Sequence, residues 1–414
     1  MVYLTFGRFL FYTICYFGLY TSVLFFLVFL EHRKDIKNPK PKRIPRVTIV
    51  VPAYNERKTI EKTIRSLLNL DYPKEKLEIM VIDDGSEDGT YEIAKKFEKN
   101  GVIVIKKPNT GKANTLNFAL KLSKGELFGA LDADSFVEKS ALKKMIGYFD
   151  NPKVMAVTPS LKIYKPKGVL QRIQAIEYLL GVYLRKVFGM MGSIHVTPGP
   201  FTIYRKSFFE KYGGYDESNL TEDIEKALRI QSKGVMVENV IDANVYTVGP
   251  DNMAALSKQR KRWYVGFFTN VMRYKKLFSK SYGNLGVFIL PASFVFVALA
   301  IVASIYYLTK FATRIYEGIS NLVAINFDIW NLFKFNFDAF LIDLSPLSVL
   351  ALVSLMVSVT MVYIAKRSSK ENSRLAFSYV LFALLYLFAF AYWWIIAIIC
   401  KITKRKIHWG KKEI

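Results

Sequence analysis

The chain has 414 residues, of which 52% are hydrophobic and 15% aromatic; it is too long for one small domain and too apolar for an ordinary soluble one. A formal charge of +25 raises nucleic acid as a partner, but the lysines are spread along the chain and cluster beside apolar runs. That pattern fits anionic lipid headgroups and phosphorylated substrates, and argues against nucleic acid.

Phe9 to Leu30 is an uncharged run long enough to cross a bilayer, followed by the basic stretch EHRKDIKNPKPKR. It lacks a small-residue cleavage site, so an uncleaved membrane helix is expected over a signal peptide. Three more apolar runs follow late in the chain, Tyr282 to Leu308, Leu344 to Ala365 and Leu375 to Cys400. Cys15 and Cys400 both fall in such runs, so neither a disulfide framework nor a zinc site is expected. The charges place the middle of the chain in the cytoplasm, because the loop after the first helix is basic. With three helices behind it, the basic tail KITKRKIHWGKK would then end outside, against the same rule. Either one run is not a full span or another segment crosses, and Asn326 to Asp343 is too charged for that and reads as interfacial. The expected division is a membrane helix over 1–31, a basic linker over 32–46, an α/β domain over 47–250, an interfacial segment over 251–281, a membrane region of about three helices over 282–402, and a basic tail over 403–414.

Inside the middle region, RVTIVVPAYNE predicts a buried strand ending near Pro52, and RKTIEKTIRSLLNL a helix. LEIMVIDDGSEDGT repeats the design, with YEIAKKFEKN as its helix; GVIVI and GKANTLNFALKL form the next strand and helix, and LFGALDAD a fourth strand. Alternating strands and helices predict a mainly parallel sheet whose ligands bind beyond the carboxyl ends of the strands. Asn55, Glu56, Asp83, Asp84, Asp132 and Asp134 should therefore line one crevice. Neither common phosphate loop is present: PAYNERKTI contains no glycine, and Ala113 follows the Gly111-Lys112 pair. Carboxylates stand in their place, and these grip a nucleotide through a divalent ion and through hydrogen bonds to base and ribose.

The motifs PAYNE, VIDDGSEDGT, NTGKANTLNFAL, LDADS, LTEDIEKALRI and QRKRW occur in that order between about Val47 and Trp263. In this the chain resembles the membrane-embedded family 2 glycosyltransferases, which include hyaluronan, cellulose, chitin and poly-N-acetylglucosamine synthases. The resemblance implies a GT-A fold over 47–250, in the cytoplasm of a multi-pass cell-membrane protein, and an inverting transfer from a nucleotide sugar, usually a UDP sugar. It puts Asp84 and Asp83 on uracil or ribose, with Ala53, Tyr54 and Glu56 shaping the base pocket; helix capping is the competing use of the two aspartates. Lys112 matches the family lysine near the nucleotide, or is a solvated helix-start lysine. Asp132 would face ribose or sugar, and Asp134 would hold Mg²⁺ or Mn²⁺ on the diphosphate; oxygen ligands suit either ion. Asp223, with Glu222 beside it, matches the family base, and a helix amino terminus by itself favours an ionised carboxylate.

In QRKRW the resemblance places Gln259 and Arg262 on the diphosphate and offers Trp263 for stacking an acceptor sugar. Trp263, Tyr264, Phe267 and Phe268 equally suit a helix lying on a membrane surface. A second amphipathic helix is predicted in GVLQRIQAIEYLLGVYLRKVFG, where Val169, Ile173, Ile176, Leu180, Tyr183 and Val187 form one apolar stripe that fits an interface or burial against the sheet. HVTPGPFTIYR, with Gly199, would help form the acceptor pocket, and His195 reads as structural. The leading expectation is a processive synthase of a β-linked polysaccharide that extrudes its product. Alternatives are transfer of one sugar to a lipid acceptor, as in ceramide glucosyltransferases, and an inactive sugar-binding scaffold.

Overall fold

The computed structural model describes residues 5–324, 345–371, 376–403, 408–409 and 412–413. The expected interfacial stretch Asn326 to Asp343, the first residue of each of the last two apolar runs and most of the basic tail lie outside the described residues. In chain order the elements are α1 (Phe6–Glu31), β1 (Val47–Ala53), α2 (Ile60–Leu68), β2 (Leu77–Asp83), α3 (Thr90–Lys95), β3 (Ile103–Lys106), α4 (Lys112–Leu122), β4 (Leu127–Ala130), β5 (Ser135–Val137), α5 (Ala141–Ile146), β6 (Val154–Ile163), α6 (Val169–Met190), β7 (Ile203–Arg205), α7 (Lys206–Tyr212), α8 (Glu222–Ser232), β8 (Met236–Thr247), α9 (Met253–Arg273), α10 (Leu290–Ala324), α11 (Pro346–Ser368) and α12 (Ala376–Ile402).

One eight-stranded sheet runs in the order β3-β2-β1-β4-β7-β6-β8-β5. Its first half is parallel, as the alternation of strands and helices requires: β1 pairs with β2 on one side and β4 on the other. Flanked on both edges and covered on both faces, β1 is apolar nearly throughout, with Val47, Ile49, Val50 and Val51 fully buried. The second half departs from the expected parallel arrangement. The short strand β7 pairs antiparallel with both β4 and β6, and β5 antiparallel with β8, so the sheet is mixed. Antiparallel pairing needs no crossover helix.

Register fixes the site. Ala53 lies opposite Asp83 and Val50 opposite Ala130, so β1, β2 and β4 reach the same sheet edge together and deliver Tyr54 to Glu56, Asp83 to Asp84 and Asp132 to Asp134 to one place.

Among the described residues, four helices are long and apolar enough to cross a membrane: α1, α10 with the preceding turn from Leu285, α11 and α12. α1 and α10 run antiparallel, with Phe6 against Tyr306 at one end and Phe25 against Phe288 at the other. The end of α11 is tied to the sheet: the Lys162 ammonium, on β6 and 3% exposed, donates to the Ser369 carbonyl at 2.7 Å and pairs with Glu371 at 3.3 Å.

α6 lies between sheet and bundle. Ile176, Leu179, Val182, Tyr183 and Val187 share one core with Ile163 on the sheet side and with Phe29, Met361 and Val362 of α1 and α11. Of the predicted stripe, Ile176, Tyr183 and Val187 are buried, Ile173 and Leu180 are half-buried and Val169 is exposed. The aromatic face of α9 packs on the same bundle, Tyr264 against Phe390 and Trp394, and Phe267 and Phe268 against Phe294.

Candidate active site

At the tip of β2 the two aspartates are consumed by the fold around them. Asp83 is fully buried and accepts from the Ser86 amide at 3.0 Å. Asp84 accepts from the amides of Thr110 (3.0 Å) and Gly111 (2.8 Å) and from the Lys107 ammonium. Burial pushes the Asp84 carboxyl up, but Lys107 and the two amides outweigh it and hold it below the usual carboxylate range. The pair therefore fastens the loop that leads into Lys112. At the tip of β1, Ala53 is buried and Tyr54 is exposed, while Glu56 accepts from the Thr59 hydroxyl at 2.8 Å. Burial raises the Glu56 carboxyl, with Asp132 and Asp88 adding to the rise.

The tip of β4 is built differently. Asp134 accepts from the Ser135 hydroxyl at 3.0 Å, and its carboxyl is pushed up to about 7, first by burial and then by Asp132 and Glu56. Asp132 is paired with Lys112 at 2.8 Å, and the same ammonium reaches Glu222 at 3.0 Å. Two carboxylates from opposite halves of the sheet domain thus share one lysine.

Glu222 and Asp223 open α8, where Asp223 accepts from the Ile224 amide at 2.9 Å. Burial pushes Glu222 up, but Lys112, Lys226 and Arg262 outweigh it and hold it well below its ordinary range. Asp223 moves the other way, raised by burial and by Glu222. This corrects the expectation from the helix dipole alone: the dipole is worth at most ~2 kcal/mol, and here desolvation beside a second carboxylate wins. The Thr197 hydroxyl donates to the Asp223 carbonyl at 2.8 Å and shares a hydrogen bond with the Tyr204 hydroxyl.

Gly199 floors this cluster. A Cβ built on it would stand 3.4 Å from Lys112 Nζ and 3.7 Å from an oxygen of both Asp132 and Asp223, so all three groups converge on the space beside Gly199. His195, nearby, is buried between Phe188 and Phe267 with Nδ1 on the Ser193 carbonyl, a packing role.

α9 closes the cluster from the bundle side. It crosses the start of α8 at Gly266, where a Cβ would come within 2.3 Å of Thr221 Oγ1. Arg262 donates to the Leu220 carbonyl at 3.1 Å, and Gln259 carries a buried carbonyl oxygen with no hydrogen-bond partner among the described residues. Leu220 and Val265 in turn pack on Ile396, Ala397 and Cys400 of α12. The Trp263 ring carries the Arg260 guanidinium 4.3 Å from its centroid, and Arg260, almost fully buried, pairs with Glu177 of α6 at 2.7 Å.

Sequence reasoning passed over Arg260, Lys107 and Lys226. Arg260 sits inside a quoted motif but pairs with a residue 83 positions away, a link that spacing cannot show. Lys226 did leave a signal, since it stands one helical turn after Glu222.

Among the described residues no group of three or more His, Cys, Asp or Glu side chains forms a metal cage. The donor set at the β4 tip nonetheless suits a hard divalent cation of the kind held by one carboxylate together with substrate phosphates. An acidic group driven up to about 7 by burial and then by neighbouring carboxylates is one that such a cation would relieve.

Residues 48–213 match the Glycosyl transferase family 2 profile. Over 225 residues the chain is 35% identical to the poly-beta-1,6-N-acetyl-D-glucosamine synthase of Staphylococcus aureus (strain COL), covering 53% of this chain and 54% of that one. The enzyme of the same name from Staphylococcus epidermidis is 34% identical over the same shares. The chain thus spans about half the length of the curated relatives it matches. Among solved structures, the mannosyltransferase PcManGT from Pyrobaculum calidifontis, in complex with GDP-Man and Mn²⁺, superposes with a TM-score of 0.57 at 18% identity, over 95% of this chain and 99% of that one, a likeness of fold. Residues 48–213 carry a glycosyl transferase family 2 domain, on a mixed α/β sheet of the GT-A type.

Proposed function

We propose that the chain is an inverting, metal-dependent glycosyltransferase that moves a sugar from a UDP-sugar onto the hydroxyl of a growing β-linked polysaccharide. In this reading it is a multi-pass protein of the cell membrane with its catalytic domain in the cytoplasm, and it extrudes the polymer. The observation that carries the reading is the convergence of Asp132, Lys112 and Asp223 on Gly199, between the strand tips that would hold a nucleotide and the Arg262 helix. The staphylococcal relatives are named for poly-N-acetylglucosamine synthesis, which makes UDP-N-acetylglucosamine the first donor to try.

Asp223 is the base. It takes the proton of the acceptor hydroxyl as that oxygen bonds to the anomeric carbon and the bond to UDP breaks on the opposite face. A carboxylate raised above its ordinary range is better matched to that proton than an unshifted one. Asp132 faces ribose or sugar and keeps Lys112 in place. Asp83 and Asp84, with Ala53, Tyr54 and Glu56, shape the nucleotide pocket, Asp84 by fixing the loop that ends at Lys112. Gln259 and Arg262 face the diphosphate; Glu222, Trp263 and Gly199 line the acceptor side. Asp134 would hold Mg²⁺ or Mn²⁺, which when bound offsets the charge that builds on UDP as it leaves.

The test is a panel of labelled UDP-sugars given to membranes containing the full chain, with Mg²⁺ or Mn²⁺ and with product length as the readout. A ladder of oligomers is expected. A product limited to one sugar on a lipid would overturn the polymer reading.

A further inference from the structure

Lys226 is buried to 1% exposure on α8, one turn beyond Glu222, and its ammonium has no hydrogen-bond partner among the described residues. Its neighbours are aromatic: Nζ lies 3.3 Å from the centroid of the Tyr215 ring and 6.0 Å from that of Tyr204. Both tyrosines belong to the frame of the site. The backbone of Tyr215 is tied to Asn117 of α4, the helix that Lys112 begins, and the Tyr204 hydroxyl bonds the Thr197 hydroxyl that holds the Asp223 carbonyl.

The other charges around it are matched. Glu225 is paired with Arg229 at 2.6 Å, and Lys112 is shared by Glu222 and Asp132. A methionine would occupy the same space without the penalty of desolvating a charge, so packing does not explain a lysine here.

Resting on the reading of Asp223 as base, we propose that Lys226 is a positioning residue for the transfer reaction: a buried counter-charge, seated on the Tyr215 ring, that balances the Glu222–Asp223 pair from inside the helix. The groups that act on Lys226 are Glu222, Glu225, Arg229 and Asp223 of its own helix, with Tyr204 and Tyr215 across from it. Those that act on Asp223 are Glu222, Lys112 of α4 and Arg262 of α9, while Arg185 of α6 and Tyr204 of β7 feel its charge in return. Burial, first among the causes, brings Lys226 down to about 7.

The test compares the wild-type chain with Lys226→Met and Lys226→Arg, purified whole in detergent at saturating Mg²⁺, in the turnover of UDP-N-acetylglucosamine or whichever panel sugar is used. Without the buried charge, the acid limb of kcat/KM moves up by about one pH unit, a tenfold loss on that limb, and the arginine variant restores it. Folding stability gives a readout that needs no turnover. A lysine lowered in the fold makes the wild type gain stability as pH rises from about 7 toward the ordinary lysine range, because the unfolded chain binds the extra proton there. Lys226→Met removes that rise while melting no lower than wild type at pH 7. An unchanged acid limb, or a methionine variant that fails to fold, overturns the proposal. If the wild type turns over no sugar of the panel, the functional reading fails separately, and an unchanged stability slope then overturns the assignment of Lys226 as a buried counter-charge.

Discussion

The tips of β2 and β4 each carry two carboxylates at the same sheet edge, and they are in opposite electrostatic states. Asp84 is matched by two amides and an ammonium and sits below its ordinary range, whereas Asp134 is matched by two neutral hydroxyls, of Ser135 and Thr247, and is raised by burial and then by Asp132 and Glu56 to about 7. At the first tip Asp84 is satisfied within the chain. The second is left with surplus negative charge, a state a protein keeps where a ligand is to supply the balance. Adjacent acidic residues in a sequence therefore do not share a role by sharing a spacing; the count of donors aimed at each decides.

The contrast can be broken residue by residue. The largest effect is expected beyond both tips, at Asp223→Asn, which should lower turnover by roughly 10³-fold while leaving UDP binding near wild type; unchanged turnover would remove Asp223 from the base role. Next, Asp134→Asn should cost roughly 10²-fold in turnover and abolish the metal dependence of donor binding, yet leave the melting temperature unchanged or raised, because it removes a repulsion. Donor binding that ignores EDTA in the wild type would undo the metal assignment.

The same tip predicts a pH dependence. Asp134 must shed its proton to hold a cation, so Mg²⁺ affinity should fall about tenfold for each pH unit below about 7 and level off above it, with proton release seen by calorimetry. The smallest effect on chemistry belongs to Asp84→Asn, whose signature is stability, a loss of about 1–3 kcal/mol. Because the Asp84 carboxyl lies below its ordinary range in the fold, its contribution is present above the unfolded carboxylate range and is lost as pH falls through the folded value. The variant should lack that acid-side decline, and a melting profile parallel to wild type would show that the two tips are not so different.

Most of the first half of the fold was legible because its signals are local. A buried apolar strand, a polar tip and a helix repeat in VTIVVPA, LEIMVID and LFGA, and register then forces the tips together. The second half was not, because β7 is three residues long and its antiparallel place depends on strands far away in the chain. At the site, residue types were readable and charge states were not. Asp223 read as a base kept ionised by its helix terminus, and its burial in the fold, with Glu222 beside it, reverses the direction. Lys107 looked like one basic residue among many, until the fold brought it to Asp84.

The seat of Arg262 is the Leu220 carbonyl, and Leu220 packs with Ile396, Ala397 and Cys400 of α12. α12 is long and apolar enough to cross a membrane, and such a helix takes its tilt from the neighbours it packs on. The position of Arg262 thereby answers to the packing of an apolar helix far along the chain, through one leucine. A fragment cut at Pro250 would keep every strand tip and the Leu220 carbonyl but lose Arg262 itself, with the helix that carries it.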